Sequence, residues 1–204
     1  MSRPQEVLRA TIAETTRVLS KIGKSVKIPH IPFSEKQIEL IRYLNQYSGG
    51  NIEYIPPDLT MEDLDQLGAM DGTLWPLRNR YFKSRTSGQW VLAVHNTLPD
   101  TIGKPRKECY SLQNKLLEYL ELKNGQVDFG NLIDHLYLKL LVRGRTEKCY
   151  PRDNQAIWVN DFDATDTHNF FVLGHTPLRG IYLYRHTDQG SEWLGSSPLI
   201  YASR

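Results

Sequence analysis

Along the first quarter of the chain apolar residues recur every three or four positions. Leu8, Ile12, Thr15, Val18, Leu19 and Ile22 fall on one face, which predicts an amphipathic helix over 5–23 with Pro4 near its start and Gly23 as its stop. The following SVKIPHIPF carries Pro29 and Pro32 and reads as an extended connector. Ser34 is placed to cap a second helix over about 35–47, with Ile38, Ile41, Leu44 and Tyr47 as its apolar face. Asn51 to Ile55 forms a short strand pattern that stops at Pro56-Pro57. Thr60 and Asp63 approximate a capping box for a short helix ending near Gly68.

The rhythm then changes. LWPLRNRYF, KSRTSG and QWVLAVHNTL read as strand, polar turn and strand, a β-hairpin. Helical spacing returns at 111–123 through Leu112, Leu116, Leu117 and Leu120. After Gly125, Asp128 is a candidate cap for a helix to about 142 carrying Leu132, Ile133, Leu136, Tyr137, Leu140 and Leu141. From 155 onward QAIWVNDF, NFFVLG, GIYLYR and PLIYA are short aromatic and branched runs separated by Gly, Pro and Asp, the pattern of antiparallel strands. No internal repeat or low-complexity linker interrupts the chain. The order predicts a single α+β unit over 1–204, an antiparallel sheet packed with several helices. Its parts are helical to about 70, mixed hairpin and helix over 71–150, and β-rich over 151–204.

Composition adds few constraints. The chain of 204 residues is 40% hydrophobic and 24% charged, enough apolar material for a core without disulfide or metal. Cys109 and Cys149 match no metal or redox spacing, which predicts two reduced thiols, no cofactor and a cytoplasmic setting. No run approaches the ~18 apolar residues of a membrane span, and Glu6 and Glu14 interrupt any secretory signal.

Net charge is only +2, so the distribution of charge matters more than the balance. Between 53 and 71 stand six acids and no base: Glu53, Asp58, Glu62, Asp63, Asp65 and Asp71. Between 78 and 107 stand seven bases, Arg78, Arg80, Lys83, Arg85, Lys104, Arg106 and Lys107, against Asp100 alone. Tyr81, Phe82 and Trp90 interleave with them. Cations neutralise phosphates and aromatic rings stack on bases, so the seven bases and Trp90 form a candidate surface for nucleic acid or an acidic protein. The bland alternative is a solvated hairpin tip paired with the acidic segment. A second basic run, Lys139, Arg143, Arg145, Lys148 and Arg152, is explained by the preference of helix C-termini for cations.

Other chemistry is sparse. Asp161, Asp163, Asp166 and His168 form the densest set of hard ligands, but without the turn glycine and distal glutamate of a calcium loop they read as turn formers. His95-Asn96-Thr97 resembles the His-x-Thr element of two-histidine phosphoesterases, whose chemistry needs a second copy as acid or base. His175 and His186 are each followed directly by threonine and supply none. The chain has no G-x-G-x-x-G, P-loop, G-x-S-x-G or H-E-x-x-H motif.

Two stretches, PLRNRYFKSRTSGQWVLAVHNTLP and RGRTEKCYPRDNQAIWVNDF, resemble the chorismate lyase family, whose α+β fold is shared with ligand-sensing domains of some bacterial regulators. The resemblance covers about 75–162. It implies that Arg78 holds a substrate carboxylate and that an acid lies two residues before a phenylalanine. Asn160 occupies that place, with Asp161 one residue on and therefore on the opposite strand face. The sequence thus favours a non-catalytic binding or accessory protein, with a lyase-like enzyme or small-carboxylate sensor as the alternative. A structural assembly subunit, suggested by the aromatic C-terminal strands, is a third reading.

Overall fold

The computed structural model describes residues 3–48, 50–69, 84–95, 97–122, 126–146, 155–163, 166–176, 180–187 and 189–202. Helix α1 (Arg3–Ser20) ends three residues before the predicted bound of 23, with a turn over 21–23 that closes at the predicted stop, Gly23. Gly23 has φ +66, and the N–H groups of Lys24 and Gly23 bond back to Leu19 and Ser20, a Schellman stop that favours glycine. Its buried face includes Thr11 and Thr15 beside Val18 and Leu19, while Ile12 is 42% exposed. Helix α2 (Glu35–Ser48) opens with a capping box. Gln37 N–H donates to Ser34 Oγ at 3.3 Å, and Ser34 N–H to Gln37 Oε1 at 2.9 Å.

Strand β1 (Gly50–Pro57) runs through the two prolines rather than stopping before them. It is the edge of its sheet, where a missing N–H leaves no ladder bond unmade. Helix α3 (Met61–Gln66) carries the full Thr60–Asp63 capping box. Asp63 is also 2.6 Å from Lys24 Nζ. Burial works to raise the pKa of Asp63, but Lys24 and the Thr60 bonds outweigh it and hold the carboxyl below its usual range.

The predicted hairpin is corrected in its second arm. Strand β2 (Ser87–Val94) pairs antiparallel with β1 along its length, Gly50 opposite Val94 and Pro57 opposite Ser87. Its other neighbour is β8 (Leu199–Tyr201), whose Ile200 lies opposite Leu92. The first arm, 74–82, lies outside the described residues. A 3₁₀ turn (Pro99–Thr101) leads to α4, which begins at Arg106 rather than 111 and ends at Tyr119. Strand β3 (Gln126–Asp128) follows, then α5 (Leu132–Thr146). Asp128 closes the strand instead of capping the helix, its Oδ1 accepting from Phe129 N–H at 2.7 Å.

The C-terminal strands β4 (Gln155–Asp163), β5 (Asp166–Thr176), β6 (Gly180–Thr187) and β7 (Leu194–Gly195) form a second sheet in the order β6-β5-β4-β7. Its pairs are antiparallel except β4 with β7. The last run, PLIYA, does not join it. Strand β8 returns to the first sheet, between β2 and β3, in the order β1-β2-β8-β3. The class is α+β, as the sequence indicates, with two sheets in place of one.

Helix α5 explains how the sheets are joined. Residues 132–139 are all buried, Asp134, His135 and Lys139 among them, so the helix is enclosed and its polar groups need partners within the protein. Leu132, Leu136, Tyr137 and Leu138 share a core with Val91, Ala93, Leu199 and Tyr201 of the first sheet and Ile157, Val159, Phe171 and Leu173 of the second. The opposite face of the first sheet, Ile52, Tyr54, Trp90, Leu92, Val94, Val127 and Ile200, packs with Phe33, Ile38, Ile41 and Leu120. The other face of the second sheet gathers Ala156, Trp158 and Val172 with Cys109, Phe129 and Leu194.

The polar groups on α5 are tied to backbone. Asp134 Oδ1 accepts from Ser87 N–H at 2.9 Å, and Lys139 Nζ donates to Ala69 O at 3.0 Å. His135 Nε2 lies 2.5 Å from Phe129 O, so this nitrogen carries the proton and donates. Burial lowers the His135 pKa to about 4, against smaller opposing effects of Phe129 and Asp128. A depressed folded-state value stabilises the fold above the unfolded pKa of 6.5, and that contribution is lost as pH falls towards 4. Denaturant titrations at pH 7, 5.5 and 4 should therefore show stability declining by up to roughly 3 kcal/mol from this group. His135→Gln should flatten the profile over that window, and an unchanged profile would remove His135 as its source.

Candidate nucleic-acid interface

Of the seven bases predicted as one surface, the four among the described residues stand on either side of β2 along the chain. Arg85 is exposed just before the strand, its Nη1 donating to Ser84 O at 2.9 Å. Lys104, Arg106 and Lys107 follow its other end, about 23 Å away along the strand at ~3.3 Å per residue. The connection does not fold back along β2. Leu98 N–H bonds Ser196 O and Gly103 N–H bonds Leu194 O, so 97–104 runs beside β7. Arg78, Arg80 and Lys83 lie outside the described residues.

Trp90 is a correction. It is 4% exposed, its ring 5.4 Å from Tyr54 and its indole N–H donating to Pro29 O at 3.0 Å. A ring held in the core on the α2 side of the sheet has no face for an incoming base. The alternation of β2 accounts for this, since Trp90, Leu92 and Val94 point the same way.

What the structure assembles is a stripe on α4. Lys107, Tyr110, Ser111, Asn114 and Lys115 are all exposed, at spacings of three, four, seven and eight from the first, which is one helix face. Cys109, Gln113 and Leu120 turn inward, and Gln113 Nε2 donates to the buried Ser196 Oγ. Tyr110 is 44% exposed, with its ring 6.0 Å from Phe129. Arg106 is half-buried at the edge of the stripe, its guanidinium 4.4 Å above the Phe129 ring and Nη2 donating to Asn160 Oδ1 at 3.3 Å. Lys104 meets Glu108 at 3.5 Å with both side chains at least half exposed, a contact of small energy. Pro105 caps the helix without a side-chain acceptor, so three cations crowd a terminus whose dipole favours anions. Beside the stripe, between α4 and 99–102, lies a groove of about 670 Å³ lined in part by Ile102, Leu112, Lys104 and Lys115.

Tyr110 escaped the sequence reading because the helix was begun five residues late, at 111 rather than Arg106; Ser111, Asn114 and Lys115 lay inside it, but only its leucine face was read. Their spacing from Lys107 was the signal that finds them.

The other candidates fall into structural roles or outside the described residues. His95 is in contact with the carboxylate of Glu53, Nε2 to Oε1 3.6 Å, and Glu53 is fully buried in the sheet. Glu53 and Asp63 are therefore engaged within the fold and are not available to pair with the hairpin bases. Asp161 and Asp163 belong to β4, and Asp166 and His168 to β5, with side chains outside the described residues. Among the described residues no three His, Cys, Asp or Glu converge to hold a metal. His186 stands edge-on between Trp158 and Trp193, at 5.5 and 5.6 Å. Its Nδ1 is 2.7 Å from Thr187 O and its Nε2 3.0 Å from Ser191 Oγ, which ties Ser191 to the second sheet. No described helix is long and apolar enough to cross a membrane. Compared with known proteins, the chain matches no family model, no curated protein and no solved structure.

Proposed function

We propose that this chain is a non-catalytic binding protein that contacts nucleic acid through the outward face of α4. The observation that carries the reading is the stripe itself: two exposed lysines, Lys107 and Lys115, with Ser111 and Asn114 between them and an exposed Tyr110 alongside. Lysines neutralise phosphates, hydroxyl and amide groups bond to phosphate or base edges, and tyrosine offers a stacking face. Cys109 and Cys149 match no metal or redox spacing, which is the ground for a cytoplasmic setting. The lyase-like alternative gains no support at position 160, where the asparagine accepts from Arg106 and has no acidic proton to give.

The test is an affinity titration of labelled DNA and RNA at several salt concentrations. Log affinity should fall linearly with log salt, by about 0.7–0.9 per phosphate neutralised. The double variant Lys107→Ala/Lys115→Ala should shallow that slope by about 1–2 while changing stability by less than ~1 kcal/mol in all. Absence of binding to either polymer at 50 mM salt, with capture by an acidic protein surface instead, would overturn the nucleic-acid reading.

A further inference from the structure

The groove beside α4 adds a second element to this interface, and with it a preference among nucleic acids. We propose that the α4 face binds a single strand rather than a duplex, an inference that rests on the nucleic-acid reading above. At about 670 Å³ the groove lies within the range of small-ligand sites, ~300–1,000 Å³. That admits one or two unstacked bases and excludes a double helix. The lining is mixed: Pro99, Ile102 and Leu112 supply apolar surface for a base face among Asp100, Lys104, Glu108, Ser111 and Lys115. Ile102 is 36% exposed, so this surface is open to solvent. Lys104, just before α4, and Lys115, on it, line the groove together with Ser111, and the two lysines reach a strand's phosphates.

The two acids on the rim give the arrangement a sense. Glu108 is engaged by Lys104 at 3.5 Å, while Asp100 stands on the wall opposite α4. Asp100 repels phosphate from its own wall, so the backbone is held over α4 and the bases turn towards Ile102 and Leu112. Tyr110, 44% exposed and two residues before Leu112, so nearly across the helix from the groove, takes a further base beside the Arg106–Phe129 stack where the strand crosses the outward face of α4. A duplex keeps its base faces inside the stack and gains from neither the groove nor the tyrosine. Stacking is a gain reserved for unpaired bases.

The experiment compares a labelled single strand with the duplex of the same sequence, using fluorescence anisotropy at 50 mM salt. The single strand should bind at least tenfold more tightly. Tyr110→Ala should weaken it about tenfold with the salt slope unchanged, because stacking is lost and no phosphate contact is. Ile102→Ser should weaken it in the same manner; each side chain is less than half exposed, so both variants should melt below the parent, and binding is compared well below their melting temperatures. Equal or tighter binding of the duplex overturns this inference and leaves the nucleic-acid reading standing. A single-strand preference that both variants leave untouched overturns the groove and Tyr110 as its source. Failure of both polymers to bind defeats the underlying reading as well.

Discussion

Trp158→Ala is expected to remove about 3–5 kcal/mol of stability, the cost of emptying a large aromatic site in a packed core. Trp158 is fully buried and is the largest side chain in that condition. It packs among Ala156, Val172, Leu194, Cys109 and Phe129 and meets His186 edge-on. The vacated space is bounded by strands β4, β5 and β7, whose ladder bonds prevent collapse. A loss of this size is a fifth or more of the ~5–15 kcal/mol that holds a typical domain folded. The melting temperature should fall by roughly 6–20 °C at this chain length. Trp158→Phe, which keeps most of the volume, should recover more than half. A fall below about 1 kcal/mol in Trp158→Ala would mean that the second sheet does not pack as described.

Gly130→Ala carries the second large effect, and it acts through backbone geometry. Gly130 has φ +75, a conformation that costs an L-residue about 1–2 kcal/mol. An added Cβ would stand 2.5 Å from Leu199 Cδ1 and 2.8 Å from His135 Nε2. Both neighbours are fully buried, so relief requires shifting either the β8 side chain or the histidine that is bonded to Phe129. Overpacking of this kind costs a further ~1–3 kcal/mol. The sum, roughly 2–5 kcal/mol, should appear as a lower denaturation midpoint with little change in slope. Gly130 O also accepts from Asn160 N–H at 2.8 Å, so the displacement is transmitted to β4. Gly23→Ala is the control. It has φ +66 with no atom within 4 Å of the added carbon, and only the conformational part of the cost should remain.

Local features were the legible ones. Helix α2 begins at Ser34 and α3 at Thr60 because each cap bonds to a residue three positions away, and such pairs are visible as letters in a row. Strand partners are not. The run QWVLAV reads as a strand from its own composition, yet its neighbours β1 and β8 lie far off in sequence. The adjacent turn residues pointed instead to a hairpin. Trp90 failed as a site residue for the same reason, since which face of β2 is covered depends on where Phe33, Ile38 and Ile41 come to rest. The charge count along 78–107 located bases in the chain but not on a surface. An extended strand carried Arg85 away from Lys104, while one helix brought Lys107 and Lys115 into line. Pro105 hid the start of that helix, because the reading required an apolar period before it would begin one.

The insertion of β8 between β2 and β3 bears on how the protein must be made. Residues 91–93 and 126–128 take their shared ladder partner from 199–201, so the first sheet stays divided while the chain is being synthesised. During that interval one side of β2 around Val91, Leu92 and Ala93 is an open edge of apolar residues, the template on which chains pair with one another. Such long-range closure raises contact order and slows folding. Release from the ribosome before residue 199 would thus yield chains that aggregate rather than fold, and expression should improve where chaperones shield that edge until the last strand arrives.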